Sequence, residues 1–296
     1  MKLQKKAALY LILPTFLVLT GVGIIGFNLV RSALLDQWRE TAIEKLQRSA
    51  HFVDMRLMQP KSLLQFLHED SSFQSAVKNH DIIIEQLQAL DGVVQVNHEW
   101  DATSDTGRGD VRMGRTPMRG RGVHHLEQLS VTSPQYDPGF ADETVSLAIY
   151  FKDINNDEIG NIEVLLSFDD LIKEVVEAPW WKSNRAYLID QEGTVLAFTQ
   201  DGDGKTGNGL KLQDIGPLEK ETFDAISSGD SGTIFESGLI PEQISGFYHL
   251  KEAPWTMVVF SPGEEVLAPI ISLGQNFLIV SAIGILLVLF IIHRVT

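Results

Sequence analysis

Cysteine is absent from all 296 residues, which removes disulfides, thiolate nucleophiles and cysteine metal ligands together. A Gly-x-Ser-x-Gly elbow, a P-loop and a His-Glu-x-x-His pair are also missing, so no familiar catalytic constellation can be assembled. No acidic residue lies before Arg31 or after Glu265, so all 39 Asp and Glu fall between them. The basic residues outside that stretch are Lys2, Lys5, Lys6 and Arg294. With a net charge of −15, the chain lacks the basic footprint that a phosphate backbone requires, which excludes nucleic acid as the partner class.

The two ends carry long uncharged apolar runs, residues 7–30 and 267–292. Each exceeds the roughly 20 residues a helix needs to cross about 30 Å of hydrocarbon. Lysines precede the first run, and His293 and Arg294 follow the second, so the positive-inside rule predicts that both ends are cytoplasmic. Residues 31–265 are then the translocated part of a two-pass membrane protein. The first run is longer than a signal-peptide core and has no Ala-x-Ala site before Arg31, so it reads as an uncleaved anchor.

The region between the runs is expected to be α+β. Residues 31–66 read as a stalk helix on which Leu46, Ala50, Val53 and Leu57 recur at spacings of four and three. That stripe suits packing on the following domain or pairing of stalks in a homodimer. A helix over 81–90 is followed by a strand through Val93, Val94 and Val96 to Trp100, and residues 101–122 form a polar Gly- and Arg-rich flap. The β-rich runs 144–151 and 159–168 flank Asp153, Asn155, Asn156 and Asp157 as a hairpin. Asp169 and Asp170 then open a helix, where negative charge suits the dipole. Further on, strands 186–190 and 194–198 flank Gln191, Glu192 and Gly193. A helix over 217–228 and three strands, 232–235, 244–249 and 255–260, complete a small antiparallel module with one helix-covered face.

Three stretches carry a resemblance to a known family. Ile159-Gly160-Asn161-Ile162-Glu163-Val164 running into Phe168-Asp169-Asp170-Leu171 is similar to the end of a distal Cache module. Tyr187-Leu188-Ile189-Asp190-Gln191-Glu192-Gly193 resembles the first hairpin of a proximal one, and Ala253-Pro254-Trp255-Thr256-Met257-Val258-Val259 its last strand. The whole resembles the double Cache ectodomain of bacterial transmembrane sensors such as histidine kinases and chemoreceptors. The resemblance implies two transmembrane helices flanking a long stalk helix and two tandem PAS-like (Cache) modules with antiparallel sheets. The expected boundaries are 1–30 for the cytoplasmic tip and first span, 31–66 for the stalk, 67–178 for the distal module, 179–266 for the proximal module and 267–296 for the second span and tip. Any kinase, chemoreceptor or cyclase output module is expected beyond Thr296, in a longer chain.

Arg108, Arg112, Arg115, Arg119 and Arg121 concentrate positive charge in one segment of an acidic region. Guanidinium groups grip carboxylates bidentately, so the segment suits an anionic or zwitterionic small molecule, against the plainer reading of a solvated loop. In the resembled family a distal amino-acid pocket carries an arginine, a Trp-Tyr pair, then a tyrosine and an aspartate from central strands. The resemblance sets Tyr136 and Asp137 in the later tyrosine region and Tyr150 and Asp153 on the next strand. Val123, His124 and His125 stand where the Trp-Tyr pair would be. The ligand-binding candidates are therefore Arg119, Arg121, Tyr136, Asp137, Tyr150 and Asp153.

Other motifs point less far. His124 and His125, with Asp137 or His98, suggest a metal, but neighbours on a strand face opposite ways. Asp201-Gly202-Asp203-Gly204-Lys205-Thr206-Gly207 has acids at positions one and three of a calcium loop, yet Lys205, Thr206 and Leu212 occupy later ligand and turn positions, so it reads as a turn. Trp180 and Trp181 suit a domain junction. Tyr187, Phe198, Phe223 and Tyr248 suit the core of the second module. No metal or cofactor is expected. The function expected is ligand sensing and transmembrane relay, with a protein-binding membrane scaffold or an anchored hydrolase as alternatives.

Overall fold

The computed structural model describes residues 2–69, 82–100, 129–152, 158–199 and 209–295. Arg119, Arg121, His124, His125, Asp153 and the Asp201–Gly207 motif fall outside these. The fold mixes helices with antiparallel sheets. One unbroken helix, α1, runs Lys2–Glu69 over 68 residues, about 100 Å at about 1.5 Å per residue. A short helix α2 covers 82–88, and α6 closes the chain at Gly263–Val295. Two helical stretches, Phe16–Phe66 within α1 and Gly263–Leu287 within α6, are long and apolar enough to cross a membrane.

The first sheet contains β1 (Val93–Trp100), β2 (Ser130–Val131), β3 (Gln135–Asp137), β4 (Asp142–Lys152) and β5 (Glu158–Ser167). Its order is β1-β5-β4-β2, with β3 also pairing to β4. Strand alternation sorts the residues onto two faces. Val145, Leu147 and Ile149 of β4, with Ile162, Val164 and Leu166 of β5 and Val96 of β1, are buried on one. Ser146, Tyr150, Asn161 and Glu163 take the other. The expected strands 144–151 and 159–168 correspond to β4 and β5, which pair antiparallel. At the end of β5, Ser167 caps α3 (Phe168–Glu177) by accepting from the Asp170 N–H, and Asp169 and Asp170 lie in the first turn.

After the short α4 (Pro179–Lys182), the second sheet is built from β6 (Arg185–Ile189), β7 (Val195–Phe198), β8 (Ser231–Phe235), β9 (Gln243–His249) and β10 (Thr256–Pro262), in the order β7-β6-β10-β9-β8. Asp190 organises the β6–β7 turn: its Oδ1 accepts from the N–H groups of Glu192 at 3.0 Å and Thr194 at 2.8 Å. Gly193 completes it at φ +79, a region glycine enters without a Cβ clash. The helix α5 (Pro217–Ile226) joins β9 through a buried hydroxyl pair, Thr222 and Ser245, 2.7 Å apart.

The backbone divides into two compact units, one of residues 1–45, 216–247 and 259–296, the other of 46–215 and 248–258. In the first, α1 and α6 run antiparallel. Leu35 packs with Leu267 and Ile270, and further along, a Cβ at Gly23 would stand 3.2 Å from the Phe277 ring, so glycine admits the aromatic side chain. Trp38 meets Phe235 edge-on at 6.2 Å. Arg39 lies 5.4 Å over that same ring and donates to Thr233 Oγ1 at 2.9 Å. Where β10 passes into α6, a Cβ at Gly263 would fall 2.0 Å from the Pro241 carbonyl oxygen, so no side chain fits there.

In the second unit the stripe Leu46, Ala50, Val53 and Leu57 is completely buried, as is Leu64. The stripe is therefore occupied within the chain, and the reading of it as a seam open to a second stalk is corrected. Its periodicity reports a buried helix face, whichever partner buries it. Trp180 donates from Nε1 to Ser49 Oγ at 3.1 Å, and its ring meets Trp181 edge-on at 5.7 Å. Asp54, one residue from the stripe, accepts from the N–H groups of Lys251 and Glu252 in the β9–β10 turn.

Candidate ligand site

The polar face of the first sheet centres on Glu163 in the middle of β5. It pairs with Asn97 of β1 on one side and Ala148 of β4 on the other. Residues directly opposite in an antiparallel pair share a face, so Asn97 and Glu163 stand side by side. Ser146 Oγ–H donates to Glu163 Oε1 at 2.5 Å, and the Asn97 amide donates to Oε2 at 3.3 Å. Gln95 in turn donates to the Asn97 side-chain oxygen. The carboxylate is half-buried, and among the described residues two neutral donors orient it. A carboxylate can accept about four hydrogen bonds, which leaves capacity for a cationic ligand group.

Tyr150 belongs to this face. It pairs with Asn161, two residues along β5 from Glu163, and is 39% exposed. On the pleat this places it on the diagonal, roughly 7–8 Å from Glu163. Its phenol is thus available to whatever Glu163 binds.

Asp137 and Tyr136 lie elsewhere. Asp137 pairs with Asp142, eight residues from Tyr150 along β4, about 26 Å at about 3.3 Å per residue. Its Oδ1 closes a local turn by accepting from the Gly139 N–H at 2.7 Å. Tyr136 pairs with Glu143, which puts it on the face opposite Ser146, 64% exposed at the sheet edge. The structure therefore does not bring Tyr136 and Asp137 together with Tyr150. Glu163 is the functional candidate that motif reasoning missed. Its signal was the alternation Asn161, Ile162, Glu163, Val164, which sets a charge on one face of a central strand.

Around Asp137 the carboxylates crowd. Asp142 accepts from Ser167 Oγ at 3.0 Å, and the Asp169 carboxyl is raised above its ordinary range, first by burial and then by the charges of Asp142 and Asp170. Among the described residues no group of three or more His, Asp or Glu side chains is arranged to hold a metal ion.

Against solved structures, the chain matches the extracellular domain of mmHK1S-Z3, assigned as a histidine kinase, with a TM-score of 0.56 at 13% identity, covering 81% of this chain and 98% of that domain. The chain shares the fold of that domain. The sensory domain of the Campylobacter jejuni chemoreceptor Tlp3 with isoleucine bound matches with a TM-score of 0.50 at 12% identity, over 80% of this chain and 97% of that one. A second structure of the Tlp3 sensory domain matches with a TM-score of 0.50 at 11% identity, over 80% of this chain and 98% of that one. No protein-family model matches the chain, and no curated protein matches it. At these identities the agreement is one of fold. The first sheet presents one apolar and one polar face, and Glu163 lies at the centre of the polar one.

Proposed function

We propose that the chain is the extracytoplasmic ligand-sensing region of a two-span bacterial receptor of the histidine kinase, chemoreceptor or cyclase type. The observation that carries this reading is the Glu163 carboxylate, oriented by Ser146 and Asn97 on the polar face of the first sheet. The finer architecture belongs to the same proposal: two tandem Cache modules at 67–178 and 179–266, spans at 1–30 and 267–296, residues 31–265 outside the inner membrane, and a homodimer. The ligand class we propose is a small zwitterion. Its ammonium group is taken by Glu163 with Tyr150, and its carboxylate by Arg119 and Arg121, because a buried charge needs a partner. Asp137, Asp153 and Tyr136 remain secondary candidates for the rim. Relay requires that the ligand bind one conformation better than the other, since a ligand with equal affinity for both shifts nothing.

The test is a thermal-shift screen of zwitterions, anions and amines on the full chain in nanodiscs. A sensor is stabilised by one compound class, by about 2.7 kcal/mol at a hundredfold excess over Kd. Glu163→Gln then weakens that compound by about ten- to a hundredfold, the worth of a charge-assisted hydrogen bond. Stabilisation that survives Glu163→Gln unchanged refutes the site, and the absence of any stabilising compound refutes the sensing reading.

A further inference from the structure

The loop between β8 and β9 has an unusual surface. From Ser237 to Pro241 it carries no charge, and at its tip Leu239 is 66% and Ile240 37% exposed. Gly238 turns the chain at φ +144. Surface loops are ordinarily polar, and an exposed pair of large aliphatic side chains at a loop tip marks contact with something apolar.

Its position indicates what that is. The strand β8 descends alongside α1: Thr233 meets Arg39 and Phe235 meets Trp38, and past the strand's end the loop reaches Arg31. The Arg31 guanidinium donates to the Leu239 carbonyl at 2.7 Å from Nε and to the Gly238 carbonyl at 3.0 Å from Nη2. Arg31 directly follows Val30, the last residue of the apolar run. A helical side chain leans toward the N-terminus of its own helix, so Arg31 reaches back over that run. The loop tip is thereby tied at the level where exposed Leu29 and Val30 begin the apolar surface of α1. On its other side, the Glu242 carbonyl accepts from the N–H of Gly263, the first residue of α6.

We propose that the β8–β9 loop docks into the outer interfacial layer of the lipid bilayer through Leu239 and Ile240. The inference rests on the two-span reading above and extends it to a third, non-spanning membrane contact. Arg31 holds the loop by its backbone carbonyls, which leaves both aliphatic side chains free to enter the layer between headgroups and acyl chains, where apolar side chains of peripheral elements settle. The first membrane-side contact of the ectodomain is then made by a loop between the two helices' outer ends.

The native chain has no cysteine, so single-cysteine variants can each carry one environment-sensitive fluorophore in phosphatidylcholine nanodiscs doped with nitroxide-labelled phosphatidylcholine. Three positions decide the matter: Leu239→Cys in the loop, Leu278→Cys on the exposed face of α6, and Asp230→Cys just before β8, at the end of the strand away from the loop and about 17 Å from Phe235 at about 3.3 Å per residue. The expected result is that labels at 239 and 278 are blue-shifted, quenched by lipid nitroxide and shielded from aqueous iodide, while the label at 230 shows the reverse. If 278 is quenched and 239 behaves like 230, the loop does not dock and the two-span reading stands. If 278 is not quenched either, the two-span reading fails and the loop proposal with it.

Discussion

Removing the Asp54 side chain tests how the β9–β10 turn is held. Asp54 Oδ1 accepts from the Glu252 N–H at 2.9 Å, and the Lys251 N–H is shared between Oδ1 at 3.1 Å and Oδ2 at 3.3 Å. Two helical turns on, Lys61 Nζ donates to the Glu252 carbonyl at 2.5 Å and to its carboxylate at 3.0 Å. Asp54→Ala leaves two turn amides without their acceptor. Each charge-assisted bond is worth about 1.5–3 kcal/mol, but Lys251 is exposed and its amide regains water. The carboxyl is also raised above its ordinary range, because burial, with a smaller push from the Glu252 charge, outweighs the two amide bonds. Its charged form is therefore not the ideal occupant. The net loss for Asp54→Ala works out near one charge-assisted bond, about 2 kcal/mol, or roughly 4–8 °C in Tm at about 2–4 °C per kcal/mol. Asp54→Asn keeps an acceptor and sheds the charge, so it loses less than half as much. Differential scanning fluorimetry in nanodiscs measures both, and hydrogen exchange reports the 251 and 252 amides directly. If Asp54→Ala melts with wild type and those amides stay protected, the carboxylate does not hold the turn.

The Asp169 carboxyl, raised by burial and by Asp142 and Asp170, has a folded pKa above the unfolded value of 3.8. Its stabilising contribution is full below that value and disappears as pH rises through the folded one. Asp169→Asn should match wild type in acid and become the more stable protein above that window; equal melting from pH 4 to 7 refutes the assignment. Ala50 is completely buried, so Ala50→Leu should cost about 1–3 kcal/mol by overpacking, read as a lower melting temperature, and a neutral or stabilising result would mean the stripe is open to a second copy. Gly23→Val sets a branched side chain against Phe277, whose ring atom stands 3.2 Å from the Cβ position. It should lower the melting temperature of the full chain in nanodiscs, and Phe277→Ala in the same chain should restore most of the loss; absence of rescue would show that the two helices do not pair there.

Much of the fold could be read from residue order, for physical reasons. The apolar ends announce themselves by length, and β4 and β5 by alternation flanking a polar turn. The strands β2 and β3 could not be read, because segments of two and three residues have no periodicity of their own and exist only through pairing with β4. The α1 stripe was visible, but a helical repeat specifies a buried face without naming what buries it. Site reading stopped short for a related reason. Clustered arginines draw the eye along the chain, whereas Glu163 gains its meaning from Ser146 and Asn97 across strands. Tyr136 and Tyr150 look similar in sequence, yet pairing register puts them on opposite faces. The contact between Asp54 and the turn at 251–252 joins positions 197 apart, beyond any local pattern.

The passage from β10 to α6 leaves nothing between them: Pro262 ends the strand and Gly263 begins the helix. A connection without a loop has no slack in which a displacement can be lost. The strand is also bonded on both sides, since it lies between β6 and β9. Strand and helix advance by different steps, about 3.3 Å and about 1.5 Å per residue, so a slip of one strand residue would drag more than two helix residues past a fixed level. The ladders on either side and the close approach of Pro241 to Gly263 resist such jumps. What remains is motion finer than one residue, tilt, rotation or a fractional slide, and any message passed down this junction is written in those increments.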